Sequence, residues 1–367
     1  NDVPTITLVG GDSAASSLTE TDTSLSTSGT LTVTDLDYTN TVVASVASVV
    51  ASGVTTGIIS NNAALLAMLA VTPTNILSAT ETTATLAWSF NSNGEAFNYL
   101  AAGEQLVLTY VVRATDSSGT PGVGNRNVII TITGTNDAPV LADTNLAFSS
   151  VEDAAVPTGV VGSLISTLTG GVAEIDTTNT KGVAITALDI TQGVWYYSTN
   201  SGTSWTLISS APSASAALLL TTEARLYFKP VGNWNGVIDP AITLRAWDRT
   251  SGSNGGIADT TTNGGTSAFS ATSDTVALTV GALNDAPTRL LSSVPLASTN
   301  EDSASIATIA NLFDGTGSNA AYTDATDQVI GTGSSSSQAM AGIVVVANAS
   351  TATQGAWQYS ADGSTGW

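Results

Sequence analysis

Alternating apolar and polar residues recur along the chain, and this period of two predicts β-strands. The clearest runs are Gly29–Thr34, Ala84–Phe90, Leu106–Val112 and Val128–Ile132. One stretch differs, because Asn62–Ala70 holds good helix formers after an asparagine cap and is followed by Pro73. The pattern therefore predicts a chain of strands with one short helix in its first part.

A short motif, asparagine-aspartate-x-proline, divides this strand-rich sequence into units of domain size. It occurs as Asn1–Pro4, Asn136–Pro139 and Asn284–Pro287, with starts 135 and 148 residues apart. Each copy precedes a new run of strand-like sequence, as expected of the linkers in a tandem array. We therefore predict domains at 1–139 and 140–287, and an incomplete third domain at 288–367.

The second and third units are related to each other. Residues Thr191–Ser198 match Thr353–Ser360 at an offset of 162, yet the chain ends at Trp367, whereas about 80 residues separate Trp205 from the next motif. The third unit therefore lacks a counterpart of the later strands. Two interpretations stay open. The chain is a fragment of a longer array, which we favour because a sandwich that lacks strands would expose apolar edges, or it is a filament subunit whose neighbour adds the missing strands.

The amino-acid composition restricts the partners and metal ligands that are available to the chain. Of 367 residues, 29 are Asp or Glu and 8 are Lys or Arg, so the net charge of −21 disfavours nucleic acids and anionic membranes as partners. Cysteine and histidine are both absent, which leaves metal sites built from oxygen ligands alone. No apolar run is long enough to insert into a membrane in this segment. Cations, calcium first, are the expected partners.

Acidic residues return in the same order after each motif. The series are Glu20, Asp22, Asp35, Asp37 and Asp116 in unit one; Glu152, Asp153, Glu174, Asp176 and Asp248 in unit two; and Glu301, Asp302, Asp324 and Asp327 in unit three. Two carboxylates about 5 Å apart repel by ~3 kcal/mol at an effective dielectric of ~20. Acids that converge at a linker therefore need a counterion, and calcium accepts six to eight oxygens in flexible geometry.

Four stretches of unit one carry a family resemblance: Thr34–Asp37, Trp88–Phe90, Phe97–Leu100 and Gly134–Pro139. Unit one resembles a VCBS repeat, and units two and three resemble the cadherin-like repeats of large bacterial RTX-type adhesins. The resemblance implies an extended array of tandem Greek-key β-sandwiches, the third incomplete, with calcium at the joints. It also implies type I secretion and a place outside the cell or at the bacterial cell surface.

The resemblance further implies that each joint takes ligands from both flanking units. For the first joint these are Glu20, Asp116, Asn136, Asp137, Glu174 and Asp176. For the second joint they are Glu152, Asp248, Asn284, Asp285, Asp324 and Asp327.

The expected function is a non-catalytic stalk segment of a secreted or cell-surface adhesin, made rigid by calcium and contacting neighbouring domains of the same array. One alternative is a calcium-assisted glycan-binding module that uses Trp195, Trp205 or Trp234, although isolated aromatics beside strands are more often packed in a core. Another is the filament subunit, paired with a second copy of the chain. A glycosidase with two acids is less favoured, because the acids recur at linkers rather than at one site.

Overall fold

The computed structural model describes residues 1–176, 180–283, 285–286, 288–296, 298–300, 302–313, 321–323 and 342–361. Nearly all of the regular secondary structure in the described part of the chain is β-strand, which confirms the predicted all-β fold. Two β-sandwiches follow one another along it, and the linker that contains Asn136 and Asp137 joins them.

The first sandwich contains nine strands. They are β1 (Thr5–Thr7), β2 (Ala15–Thr19), β3 (Ser26–Thr34), β4 (Val42–Gly53), β5 (Leu69–Thr72), β6 (Asn75–Leu77), β7 (Thr83–Asn91), β8 (Gln105–Asp116) and β9 (Val123–Thr133). One sheet has the order β1-β3-β7-β5 and the other β2-β9-β8-β4-β6. Strands that are consecutive in the chain are thus divided between two sheets, as in the Greek-key arrangement of immunoglobulin-type domains.

The core of the first sandwich follows from the alternation seen in the sequence. In β8, Leu106, Leu108, Tyr110 and Val112 point inward and are fully buried, while the residues between them are partly exposed. The predicted strand runs all lie within β3, β7, β8 and β9, so these predictions are confirmed.

The predicted helix is shorter than expected. Helix α1 covers only Asn62–Leu66, capped by the side chain of Asn61, which accepts a hydrogen bond from the backbone N–H of Ala64. The following residues, Leu69–Thr72, form β5 and pair with β7 instead. Extending the Asn62–Ala70 helix through Ala70 was wrong, because sheet pairing outweighs local helix propensity.

The second sandwich repeats the plan with twelve strands. They are β10 (Val140–Leu141), β11 (Leu146–Val151), β12 (Ser163–Leu164), β13 (Val172–Ala173), β14 (Gly182–Leu188), β15 (Gly193–Ser198), β16 (Thr206–Leu207), β17 (Ala217–Thr221), β18 (Arg225–Pro230), β19 (Gly236–Trp247), β20 (Ile257–Ala258) and β21 (Asp274–Gly281). The main sheets have the orders β11-β21-β19-β14-β17-β20 and β12-β18-β15-β16, while β10 pairs with β13. A 3₁₀ helix covers Ile165–Leu168.

An edge strand fixes the exit of each sandwich. Strand β2 runs parallel to β9, and β11 runs parallel to β21. The pairs end at Thr19 beside Thr133 and at Val151 beside Gly281, immediately before Glu20 and Glu152. In each sandwich, the glutamate that follows the parallel edge strand therefore lies beside the C-terminal end of the last strand.

Beyond Gly281, the described residues contain two short strands and one helical turn. They are β22 (Thr288–Arg289), β23 (Tyr322–Thr323) and α2 (Ile309–Phe313). The domain bounds 1–139, 140–287 and 288–367 stay predictions. Among the described residues, none of the helices has the length and apolar character required to span a bilayer.

Candidate metal centre between the two sandwiches

The linker from Gly134 to Ala138 is bonded to both sandwiches. On the first side, the backbone N–H and the hydroxyl of Thr135 donate to Glu20 Oε2, at 3.1 and 2.7 Å. On the second side, the side-chain amide of Asn136 donates to Asp248 Oδ2 at 2.8 Å, and the N–H of Asp137 donates to Asp176 Oδ2 at 3.1 Å. Successive linker residues therefore carry acids of both domains to one place.

Three carboxylates meet at this linker. Glu20 and Asp22 follow β2 of the first sandwich, and Asp137 belongs to the linker; one oxygen of each lies within 4.8 Å of the others. Glu20 is 1% exposed and Asp137 is 5% exposed, whereas Asp22 is open to solvent. Buried acids that lie this close repel one another strongly unless a cation or proton is shared between them.

The oxygens of this cluster are not all used by the protein. Glu20 Oε1 and Asp137 Oδ2 are buried and accept no hydrogen bond. Buried carboxylate oxygens are normally bonded, since an unsatisfied one costs about 1–3 kcal/mol or more when charged. Orphan oxygens among three converging acids fit the donor set of a hard divalent cation such as calcium.

The pKa of Asp137 reflects the same repulsion between carboxylates. The pKa of Asp137 is raised from 3.8 to about 7, first because burial removes the carboxylate from water and then because Glu20, Asp176 and Asp22 repel its charge. At neutral pH without a cation, the linker carboxyl is therefore only partly ionised. A divalent ion would remove this penalty, because it favours the charged form.

A second group of acids lies on the side of the second sandwich. Both carboxylate oxygens of Glu174 are buried, and a neighbouring donor, the backbone N–H of Ile175, makes no well-formed hydrogen bond with them. Burial first, and then Asp248 and Asp176, raise the pKa of Glu174 to about 7, whereas the Ile175 N–H and Lys181 lower it. The loop after β13 thus adds Glu174 to the acids that surround the linker.

The structure corrects the joint assigned to two aspartates. Asp248 was expected at the second joint but bonds Asn136 at the first, because it follows the far end of β19. Asp116 was expected beside Asn136 but lies at the other end of β8 from Gln105, roughly 36 Å away at ~3.3 Å per residue. The aspartate at the end of the long strand of a unit, Asp116 or Asp248, therefore lies at the start of that unit rather than at its exit.

The start of the first sandwich repeats the pattern of the linker. The Asn1 side chain donates to Asp116 Oδ2 at 3.2 Å, as Asn136 does to Asp248. The N–H of Asp2 donates to Asp37 Oδ2, as that of Asp137 does to Asp176. A buried orphan oxygen is present here too, Oδ2 of Asp35, a residue that is 2% exposed.

The second joint is described only in part, since Asn284, Asp324, Asp327 and the neighbouring Glu301 lie outside the described residues. Glu152 accepts from the side-chain amide of Asn235 at 2.8 Å on one oxygen, and from the backbone of Leu283 on the other. Asp285 accepts from the side-chain amide of Asn233 at 2.6 Å. Amide donors therefore bond the two acids of this joint that the structure describes.

Asp22 is absent from the ligand set that the resemblance implies, although the Glu20–Asp22 pair belongs to the repeated acidic pattern. The structure brings Asp22 into the cluster with Glu20 and Asp137. The signal was the one-residue gap between the two acids: Glu20 follows the end of a strand and Asp22 lies in the loop beyond it, so both can turn toward the same linker.

The tryptophans give little support to a sugar platform. Trp195 is fully buried and packs against Phe148 and Phe228, with ring centroids 5.5 and 4.8 Å away. Trp234 packs against the same core, and the half-buried Trp205 ring lies 5.8 Å from that of Tyr227 and donates to Gly159 O. The interpretation of these rings as core and rim residues is confirmed for Trp195.

No family model matches the chain, and no curated protein sequence does either. Among solved structures, repeats EC22-24 of mouse cadherin-23 are 11% identical, with 79% of this chain and 70% of that chain covered and a TM-score of 0.34. Protocadherin gamma B2 extracellular domains 3-6 are 14% identical, with 80% of this chain and 54% of that chain covered and a TM-score of 0.38. At these values the fold rests on the strand order described above.

Proposed function

We propose that this chain is a non-catalytic spacer segment of a secreted or cell-surface bacterial adhesin, and that calcium at the linker makes its first two sandwiches one stiff unit. The observation that carries the proposal is the convergence of Glu20, Asp22 and Asp137, with buried oxygens that no protein donor satisfies. The resemblance of the sequence to VCBS and cadherin-like repeats of RTX-type adhesins is the reason for naming this biological setting.

The mechanism is mechanical. Glu20 and Asp22 belong to the first sandwich, Asp176 and Glu174 belong to the second, and Asp137 lies between them. An ion bound by both groups would connect the two sandwiches more tightly than the single linker segment between them does. A cation that binds only the assembled joint also stabilises it by mass action, by about 2.7 kcal/mol at a concentration 100 times its dissociation constant.

The chain's own residues would hold the ion with a mixed set of oxygens. Carboxylates of Glu20, Asp22 and Asp137 supply charge, and Thr135 fixes the orientation of Glu20 by donating twice to Oε2, which leaves Oε1 for the cation. Asp176 is held by the backbone of Asp137, so its position is coupled to the linker. Such fixed and partly buried acids favour binding at the millimolar calcium levels found outside cells.

The test compares the whole chain in excess calcium and in excess chelator. We expect calcium to raise the melting temperature by several degrees and to increase the maximum dimension measured by small-angle X-ray scattering, because a hinge becomes a rod. Asp137→Ala should remove most of both responses. The control is Asp259→Ala, which alters an exposed acid that is bonded to its own turn at Thr261. Unchanged melting and scattering on chelation would overturn the proposal.

A further inference from the structure

The turn between β7 and β8 reaches the acidic cluster. Its residue Asn98 donates from its side-chain nitrogen to Asp22 Oδ1 at 2.9 Å. The other side-chain atom of this amide, Oδ1, is buried and has no hydrogen-bond partner. The amide group that carries this orphan acceptor therefore lies against Asp22, one of the three acids of the cluster.

The turn that carries Asn98 is held firmly on both sides. Phe97 and Leu100 are fully buried, and the N–H of Leu100 donates to Phe97 O at 3.0 Å. Tyr99 is anchored by its hydroxyl, which donates to Val54 O at 3.0 Å. Phe97 has a φ of 65°, a left-handed conformation that a bulky residue rarely adopts. The fold therefore accepts local strain to hold Asn98 at this place.

The linker passes directly over this turn. A Cβ at Gly134 would overlap the carbonyl oxygens of Leu100 and Ala101, so only glycine permits the close approach. The next linker residue, Thr135, bonds Glu20, and Asp137 follows two residues later. The turn and the linker thus lie on either side of the same group of carboxylates.

We propose that the side-chain oxygen of Asn98 is a ligand of the cation at this joint, an inference that rests on the proposed function. A half-turn of the terminal amide exchanges its oxygen and nitrogen within nearly the same volume, and this torsion is soft. The exchange would put Oδ1 about 3 Å from Asp22 Oδ1, a spacing suited to two ligands that each lie ~2.3–2.6 Å from one calcium ion. In the structure, the amide N–H instead donates a hydrogen bond to Asp22.

This ligand has a role that a fourth acid would not have. The cluster already contains three carboxylates, and each added charge raises the repulsion that must be overcome when the cation leaves. A neutral oxygen completes coordination without that cost, and its amide hydrogen can bond Asp22 when no cation is bound. Asn98 would therefore serve both states of the joint and couple the packing of the first sandwich to ion binding.

The test measures calcium affinity by calorimetry on the full chain, in the unsubstituted form and in three variants. Asn98→Leu keeps the size of the side chain and removes its oxygen, so we expect affinity to fall roughly 10-fold. Asn98→Asp keeps an oxygen in place and removes the donor, so we expect affinity to be retained or raised. Asn93→Asp, an exposed neighbour on the same connection, controls for added charge alone and should change affinity by less than about 2-fold.

Europium luminescence lifetimes in H₂O and D₂O provide a second measurement, because they count the waters on a bound ion. Asn98→Leu should add about one water, since a lost protein ligand is replaced by solvent. A purely structural role would make Asn98→Asp as harmful as Asn98→Leu and leave the water count unchanged, and either result overturns the inference while calcium binding by the unsubstituted chain persists. If the unsubstituted chain binds no calcium, the proposed function and the inference both fail.

Discussion

Glu20 and Glu152 occupy the same place in two sandwiches and are treated differently by their surroundings. Each follows a parallel edge strand, and its N–H donates to a carbonyl of the last strand, Thr133 O or Gly281 O. Glu152 uses both carboxylate oxygens, toward Asn235 and Leu283. Glu20 uses only Oε2, and its Oε1 stays without a donor beside two further acids.

The difference shows that a buried glutamate at a domain exit can be compensated in two ways. At Glu152 the compensation comes from the amide of Asn235, which is 1% exposed and bonds the carboxylate inside the domain. At Glu20 the protein supplies donors for one oxygen and acids around the other. Glu152 therefore has a protein donor for each carboxylate oxygen, whereas under the proposed function Oε1 of Glu20 is left for a cation.

The largest effect should come from giving the second joint the chemistry of the first. Asn235→Asp places a second carboxylate against the buried Glu152 and removes its donor, so in chelator we expect the second sandwich to lose ~3–5 kcal/mol of unfolding free energy. Calcium should restore part of this loss. The measurement is denaturant unfolding with and without calcium.

Asn254→Asp is the matched control for this change. Asn254 uses its side-chain oxygen to accept from the N–H of Thr221, a bond that a carboxylate keeps. A similar loss in both variants would mean that added charge, rather than the contact with Glu152, is responsible.

The next effect separates the two glutamates directly. Glu20→Gln removes one of the charges of the cluster, and we expect calcium affinity to fall about 100-fold, equivalent to ~2.7 kcal/mol. Glu152→Gln should leave affinity at the first joint unchanged while lowering the stability of the second sandwich in calcium and in chelator alike. Calorimetric titration measures the first quantity, and thermal melting measures the second. Equal affinity losses in both variants would remove the distinction between the joints.

A third effect concerns pH in the absence of calcium. The pKa values of Asp137 and Glu174 are raised to about 7 in the folded chain, so folding favours their protonated forms. The contribution of these two carboxyl groups to the free energy of unfolding is therefore fully present below pH ~4 and is lost as pH rises to about 7. In chelator, the melting temperature should therefore be a few degrees higher at pH 5 than at pH 8. Asp137→Asn should flatten this dependence, and a melting temperature that rises with pH would contradict it.

The smallest effect is expected at Lys181. Its ammonium lowers the pKa of Glu174 and donates to Val172 O at 2.6 Å. Lys181→Met removes a positive charge near the linker, so calcium affinity should rise by ~3-fold, the size of a partly screened charge interaction. Lys229→Met, on β18 of the same sandwich, serves as the control with equal charge. If both variants change affinity equally, the effect arises from net charge alone.

The fold was readable from the sequence where burial alternates. The run Leu106–Val112 becomes the centre of β8 because every second side chain faces the core of the first sandwich. The helix was predicted too long, since Leu69 and Ala70 are good helix formers but lie in a strand that pairs with β7. Local pattern thus identifies strands well, and it fails where a neighbouring strand decides the outcome.

The site was predictable in its members more than in their grouping. The repeated acids pointed to Glu20 and Asp137, which meet at the linker. The sequence could not show which end of a 12-residue strand Asp116 or Asp248 occupies relative to each linker, because that depends on strand direction. Asn98 is uncharged, so the acidic pattern does not mark it; its bond to Asp22 and the packing of its turn against Gly134 place it beside the cluster.

The bonds of Asn1 and Asp2 have a further consequence for how such chains change over time. The first sandwich presents at its start the same recipient arrangement that the second sandwich presents to Asn136 and Asp137, and at its exit it presents Glu20. In the proposed array, a unit that has such a receiving face at its start and a glutamate at its exit could be placed before or after another unit of the same kind. On that proposal, gain or loss of units would change the length of the array in whole steps of one sandwich.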